Sequence, residues 1–145
     1  MKARIIQIVA VLSLLLASAI SATDKDRSVT MEYYYQIKWG HQEEFIELYK
    51  KNHLPLLKTL LEMGHMLSVK TVSPTFHLPE ARRWDYRVTI VFRDADAATS
   101  EPPEEWARAK ERLYPDQDTF KQEESRRFQL MEAHWDVAIS EVEFE

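Results

Sequence analysis

The sequence contains no cysteine and only two glycines among its 145 residues. Without cysteine there is no disulfide, no thiolate nucleophile and no cysteine-ligated zinc or iron–sulfur site. With glycine only at Gly40 and Gly64, a glycine-rich phosphate-binding loop is excluded. Basic residues are also in the minority, at 19 against 24 acidic ones. Because nucleic-acid binding needs clustered Lys and Arg, this balance argues against a nucleic-acid partner.

Residues 1–22 have the layout of a secretory signal peptide. Lys2 and Arg4 precede an apolar stretch from Ile5 to Leu16, and small residues follow it. The small-residue rule allows cleavage after Ala19 or after Ala22. The stretch of about 12 residues is shorter than the roughly 20 needed to cross a bilayer, so we expect no stable membrane anchor. We therefore predict an exported protein, periplasmic or secreted.

Residues 23–145 are interpreted as one acidic domain, with no internal repeat and no second domain. Removing Lys2 and Arg4 leaves 17 basic against 24 acidic residues, so the net charge moves from −5 to −7. The whole chain is 45% hydrophobic and 30% charged, which is typical of a globular protein. Its stability must come from a packed core, because it has no disulfides.

Apolar side chains that alternate with polar ones predict strands, and a helical period predicts helices. Val29 to Trp39 and Trp84 to Phe92 alternate most clearly. A helix is predicted over His41 to Met63, with a kink near Asn52 to Leu54 because Pro55 removes a backbone donor. The other predicted elements are a strand over His65 to Val72, a loop over Asp94 to Pro103, helices over Glu104 to Leu113 and from about Asp118, and a last strand from Trp135 to about Phe144.

The resulting order, β-α-β-β-α(α)-β, predicts a ferredoxin-like α+β fold. Such a fold has a four-stranded antiparallel sheet with its helices on one face. The other face must then meet water or a second subunit.

Four segments resemble the dimeric α+β barrel superfamily: residues 33–37 (YYYQI), 39–45 (WGHQEEF), 53–57 (HLPLL) and 84–90 (WDYRVTI). This superfamily includes antibiotic-biosynthesis-type monooxygenases, stress-responsive barrel proteins, NIPSNAP-like proteins and IsdG-type haem-degrading enzymes. The resemblance covers most of residues 29–142. It implies a homodimer that pairs sheet to sheet, with a cavity between helices and sheet in each subunit. The segment from Glu101 to Arg127 is longer than in the usual compact members, and no complete catalytic signature is matched.

His53 is the leading candidate for a catalytic residue. It falls in the middle of the apolar face of the predicted helix, so its imidazole should point at the sheet. There it would act as a general base, a ligand-orienting donor or an axial haem ligand. The alternative is a core histidine that is hydrogen-bonded to a neighbour.

Six aromatic residues are candidates for lining a ligand pocket, on the condition that their strand faces coincide and look at the helices. A ring-lined pocket with a few hydroxyl and indole donors would hold a small apolar or aromatic molecule. The alternative is a filled core of large residues. The six residues are Tyr33, Tyr35, Trp39, Trp84, Tyr86 and Trp135.

The remaining polar candidates do not predict a metal site. His41, His53, His65 and His77 recur at a spacing of 12. Along one helix, however, that spacing places the first two roughly 18 Å apart, too far for shared coordination. In the last strand, His134 and Asp136 are predicted to lie opposite Trp135, on the sheet face away from the helices, where they could pair with Arg87.

Three functional hypotheses remain open at this stage, and the residues do not decide whether the protein is an enzyme. The first is an exported homodimer that binds a small apolar or aromatic ligand and needs no cofactor, with His53 orienting or deprotonating the ligand in an oxygenase-like reaction. The second is a non-catalytic exported domain that uses its free sheet face for self-association or protein binding. The third is haem binding with His53 as the axial ligand.

Overall fold

In a computed structural model, the described residues are 27–76, 78–142 and 144. The predicted signal peptide and His77 lie outside them. The strands are β1 (Val29–Ile37), β2 (Met66–Val72), β3 (Tyr86–Phe92) and β4 (Met131–Ile139). The helices are α1 (Gln42–Leu48), α2 (Leu54–Glu62), α3 (Ala95–Thr99), α4 (Glu104–Leu113) and α5 (Gln117–Gln129). A π-helical segment (Tyr49–His53) joins α1 to α2, and a 3₁₀ turn (Glu80–Arg82) precedes β3.

The four strands form one antiparallel sheet in the order β2-β3-β1-β4. β1 and β3 alternate most clearly in the sequence because they occupy the centre of the sheet and bury one face each. The predicted α+β fold with a four-stranded antiparallel sheet is confirmed. The helix predicted over His41 to Met63 is also present, with its irregularity at the predicted place.

The core lies between the sheet and the helices. Tyr35 and Ile37 from β1 and Val88 from β3 are buried against Phe45 of α1 and Leu57 of α2. Side chains alternate across a strand, so the residues next to these in sequence lie on the opposite face of the sheet, called here the open face.

The chain differs from the predicted elements in two places. A short helix, α3, replaces part of the predicted loop, because the Asp94 side chain caps it and accepts a hydrogen bond from the Ala97 amide at 2.8 Å. β4 begins at Met131 and not at Trp135, directly after α5. The buried Leu130 joins the two elements, and its carbonyl accepts from the Lys38 amide at 2.9 Å.

The face assignment of β4 predicted from the sequence is wrong. β1 pairs with β4 so that Tyr35 lies opposite His134 and Tyr33 lies opposite Asp136. Directly opposed residues of an antiparallel pair share a face, so His134 and Asp136 face the helices. Trp135 consequently lies on the open face, because the register places it opposite Tyr34.

The predicted pairing of Arg87 with this His–Asp pair is wrong for the same reason. Arg87 projects from the open face, where its guanidinium lies 3.3 Å from Glu32. Within the described part of the chain, no helix is long and apolar enough to cross a membrane.

Candidate functional site

A row of three rings crosses the helix-facing side of the sheet. Tyr86, Tyr35 and His134 occupy paired positions on β3, β1 and β4. The rings of Tyr35 and His134 stack at 4.5 Å with an interplanar angle of 15°. Phe45 from α1 packs on the other two rings of the row. Its centroid lies 5.5 Å from that of Tyr35 and 5.8 Å from that of Tyr86. The row therefore ends in an imidazole on β4.

The π-helical segment brings a second imidazole over this row. The Tyr49 ring lies 6.1 Å from the Tyr35 ring and 5.1 Å from the His53 ring. A positive charge on His134 would lower the pKa of His53, so the two histidines are electrostatic neighbours. His53, His134 and the rings of Tyr35 and Tyr49 are called the histidine cluster below.

Pro55 explains why the helix widens at this point. It has no amide hydrogen for the Lys51 carbonyl, and the Leu54 amide reaches back to the carbonyl of Tyr49, five residues earlier. The Tyr114 hydroxyl, at the end of α4, lies 3.1 Å from the Lys51 carbonyl oxygen and 2.8 Å from that of Asn52. A side chain distant in sequence thus satisfies backbone acceptors in the irregular segment that positions His53.

His53 is held in its neutral form. Desolvation is the main cause that lowers the pKa of His53 from 6.5 to about 4, and the nearby Arg127 guanidinium acts in the same direction. The carboxylate of Glu124 opposes the shift, with Oε2 3.9 Å from Nδ1 of His53. The side chain keeps 30% of its surface exposed, so a molecule from solvent can reach it.

His134 has a polar partner at each ring nitrogen. Nδ1 lies 2.8 Å from the backbone oxygen of Tyr34, which can only accept, so this nitrogen carries a proton and donates it. Nε2 lies 3.2 Å from Oδ1 of Asp136, two residues along the same strand face. The imidazole is therefore fixed in orientation and has a carboxylate beside its second nitrogen.

Charged side chains of α5 pack against the histidine cluster and the π-helical segment. Arg127 is buried beside the rings of Phe45 and Tyr49, and its Nε and Nη2 donate to Glu124 at 3.0 and 2.8 Å. Asn52 is only 1% exposed, and its amide group donates to Glu123 at 2.8 Å. These contacts fix α5 against the π-helical segment.

The tyrosines of the cluster are held protonated. Burial raises the pKa of the Tyr35 hydroxyl well above its usual value and raises that of Tyr49 to about 12. The Tyr49 hydroxyl lies near Thr71, although it lacks hydrogen-bonding geometry to any acceptor. At neutral pH both hydroxyls therefore stay protonated, and neither is a base.

The space between α1 and the sheet is filled. The side chains of Tyr35, Phe45, Tyr49, Tyr86 and Val88 surround a gap with no room for a water molecule. A haem macrocycle does not fit this packed space. His53 and His134 are reached from solvent through their partly exposed side chains.

Comparison with solved structures identifies the architecture. The solution structure of the Arabidopsis thaliana protein At3g17210 superposes with a TM-score of 0.51 at 13% identity, covering 82% of this chain and 92% of that one. The fold is ferredoxin-like. No protein-family model and no curated protein sequence matches the chain.

Two further structural neighbours carry names already implied by the sequence resemblance. A NIPSNAP family protein of Agrobacterium tumefaciens superposes with a TM-score of 0.48 at 15% identity, covering 82% of this chain and 90% of that one. A putative antibiotic biosynthesis monooxygenase of Bacteroides thetaiotaomicron gives 0.47 at 9% identity, covering 81% and 91%. The superposition on the Arabidopsis protein confirms the predicted ferredoxin-like fold.

The six aromatic residues predicted to line one pocket occupy three places. Tyr33, Tyr35 and Tyr86 face the helices, as predicted. Trp39 and Trp84 lie at the end of the sheet and line an open cleft, which Tyr86 also reaches. Trp135 lies on the open face, so these residues do not form a single site. Ligand binding by each of them stays a prediction.

Sequence reasoning missed three members of the site, namely Tyr49, Arg127 and His134 as a partner of His53. Tyr49 lies one helical turn before His53 on the same apolar face, which is a signal that the sequence does contain. Arg127 carries no such signal, because the sequence of a charged helix does not show which of its arginines is buried. Among the described residues, no group of three or more His, Asp or Glu side chains is arranged to hold a metal ion.

Proposed function

We propose that this protein binds a small aromatic molecule at the histidine cluster, where His53 accepts a hydrogen bond from a hydroxyl group of that molecule and His134 contacts its ring. The observation that carries the proposal is that His134 stacks on the buried Tyr35 ring, while His53 packs on Tyr49, the neighbour of Tyr35, and remains partly exposed to solvent. A flat ligand would meet the cluster at the partly exposed imidazoles of His53 and His134. Because His53 is neutral at pH 7, its unprotonated ring nitrogen can accept a hydrogen bond from a ligand hydroxyl.

The two histidines have different roles in this proposal. Glu124 favours a proton on Nδ1 of His53, which leaves Nε2 to accept a hydrogen bond from a ligand hydroxyl. His134 is fixed between the Tyr34 carbonyl and Asp136, so it supplies a ring of fixed orientation for the ligand to contact. An electron-rich phenol oriented in this way would be a suitable substrate for an oxygenase-like reaction.

The experiment is a calorimetric titration of 2-naphthol into the wild-type chain and into His53→Gln and His134→Gln. We expect each substitution to weaken the binding step at the cluster by about tenfold, because a buried hydrogen bond to a charged or polar partner is lost. His41→Gln is the matched control, since His41 lies at the exposed start of α1. Affinities unchanged by both substitutions would contradict the proposal.

We further propose that the protein is a homodimer that pairs through its open face. On this face Trp135 stacks on Tyr34 at 5.1 Å, and Val137 and Ile139 continue the row along β4 while remaining exposed. Exposed apolar side chains in a contiguous row are typical of an interaction surface. The same feature supports the alternative that the domain is non-catalytic and acts only by self-association or protein binding.

The alternative is distinguished by combining two measurements. A dimer in light scattering together with no response of 2-naphthol binding to His53→Gln would favour the non-catalytic domain. Haem binding through His53 is not proposed, because the packed space between α1 and the sheet has no room for the macrocycle.

Export is proposed from the sequence of residues 1–22 alone. Its test is the intact mass of the protein recovered from outside the cytoplasm. Cleavage after Ala19 would leave Ile20 as the first residue, and cleavage after Ala22 would leave Thr23. Recovery of the uncleaved chain in the cytoplasm would contradict export.

A further inference from the structure

A second concave site lies at the end of the sheet, where β1 ends and β3 begins. It is an open cleft of about 500 Å³, within the range of small-ligand sites. Trp39, Phe76, Trp84 and Tyr86 supply ring surfaces to it. Trp39 is 66% exposed and Phe76 is 85% exposed, so both present apolar ring surface to water.

The cleft is built around Arg83, which is only 6% exposed. Each of its three guanidinium nitrogens is engaged: Nε donates to Glu80 at 3.2 Å, Nη1 to Asp85 at 2.5 Å and Nη2 to the Ile37 carbonyl at 2.8 Å. The guanidinium carbon lies 4.3 Å from the centroid of the Trp39 ring. Arg83 therefore supports the indole of Trp39 from one side and is already committed to protein partners.

Asp85 is committed in the same way. One oxygen accepts from the Ile37 amide at 2.7 Å as well as from Arg83, and the other lies 3.4 Å from the Gln42 side-chain nitrogen. Arg83 and Asp85 are the only charged residues among the described residues that line the cleft. Because Arg83 and Asp85 are bound to each other, neither is free to pair with a charged ligand.

Two residues with hydroxyl side chains also line the cleft. Ser73 and Thr75, in the chain that leaves β2, line it on the side that carries Phe76. A hydroxyl both donates and accepts hydrogen bonds, so it suits an uncharged polar substituent. Ring surfaces and hydroxyl-bearing side chains together suit a flat molecule that carries a hydroxyl group.

We propose that this cleft is a second ligand site, which takes a neutral hydroxylated aromatic ring stacked on Trp39. It is separate from the histidine cluster, because the Tyr86 ring packs on Phe45 and closes the path between them. The proposal stands on the cleft geometry and not on the chemistry of His53. It holds whether or not the histidine cluster binds a ligand.

The test is a titration of 2-naphthol into the full, nitrogen-labelled chain, observed through the indole N–H resonances of its four tryptophans. Assignment uses one Trp→Phe substitution at a time. We expect the Trp39 and Trp84 resonances to shift in a saturable manner. Those of Trp106 on α4 and Trp135 on the open face should not shift. Shifts at Trp106 or Trp135 alone, or no saturable shift, would overturn the proposal.

Variants make the same test quantitative. Trp39→Ala should weaken binding at the cleft by about tenfold, because a stacked ring is lost, and Trp39→Phe should restore most of it. Trp39 is largely exposed, so both variants should fold, and a melting curve checks this. Trp106→Phe is the matched control. Equal affinity in Trp39→Ala and in the wild type would refute ligand stacking on Trp39 in the cleft.

Two further arms test the ligand class and the independence of the sites. Naphthalene-2-carboxylate and a naphthyl trimethylammonium salt should bind more weakly than 2-naphthol. Tighter binding of either would refute the claim that the cleft prefers an uncharged ligand. His53→Gln should leave the Trp39 shift unchanged. If that substitution abolished the shift, the two sites would be one and the proposal would be wrong.

Discussion

Replacing His53 by Gln should change how stability depends on pH. In the folded protein the pKa of His53 is lowered from 6.5 to about 4, mainly by desolvation. Between these values the unfolded chain binds a proton at this position and the folded chain does not. Lowering the pH therefore favours the unfolded state. The stability associated with neutral His53 is complete above pH 6.5 and is lost as the pH falls toward 4.

The size of the effect follows from the shift. The full difference of about 2.5 pH units corresponds to about 3 kcal/mol. Because the side chain is 30% exposed, solvent relaxation reduces this figure, and we expect a loss of about 1–3 kcal/mol. His53→Gln removes the titrating group, so between pH 7 and pH 4 the wild type should lose more unfolding free energy than the variant by this amount.

The assay is urea unfolding at several pH values for the wild type and for His53→Gln. Carboxylates with lowered pKa values, such as Glu123 and Asp116, also lose stability in acid, but they do so in both proteins and cancel in the difference. Lys58→Gln, on the exposed part of α2, controls for the introduced glutamine. A wild-type–variant difference that stays constant from pH 7 to pH 4 would refute the reasoning.

Three further substitutions test the support of the π-helical segment and the proposed dimer. Tyr114→Phe should lower the unfolding free energy by about 1–2 kcal/mol, because the carbonyls of Lys51 and Asn52 lose their donor, and urea unfolding at pH 7 measures it. Pro55→Ala should supply an amide for the Lys51 carbonyl and shorten the π-helical segment, so the NMR titration midpoint of the residue 53 imidazole should move toward 6.5. Trp135→Lys should convert the proposed dimer to a monomer in light scattering, and an unchanged mass would contradict pairing through the open face.

The sequence contains enough to predict the sheet and the helix over His41 to Met63. β1 and β3 alternate strictly because they are central strands with one buried face, and Pro55 marks the helix irregularity directly. The ends of β4 were harder to place. α5 runs into β4 through a single buried Leu130, so no turn residue marks the boundary.

The site was predictable only in part, because it depends on register. His53 was found from the helix periodicity alone. His134 was assigned to the wrong face, because alternation within β4 shows that His134 and Trp135 oppose each other but not which of them faces the helices. The pairing of β4 with β1 decides this, and pairing is a long-range property of the chain.

The cleft at the end of the sheet could not be predicted from periodicity. Arg83 and Trp39 lie outside the strands, and their contact joins two loops that are distant in sequence. Tyr114 is a similar case, since its hydroxyl satisfies carbonyls more than sixty residues away. Side-chain contacts between loops and irregular segments leave no local pattern.

The most direct test of the central claim is the response of the imidazole resonances of His53 and His134 to 2-naphthol. Both should shift together with a single saturation curve at pH 7, and the shift of each should weaken when the other is replaced by glutamine. The resonances of His41 and His65 should stay in place. Binding that leaves the His53 and His134 resonances unmoved would contradict the assignment of this pair as the ligand site.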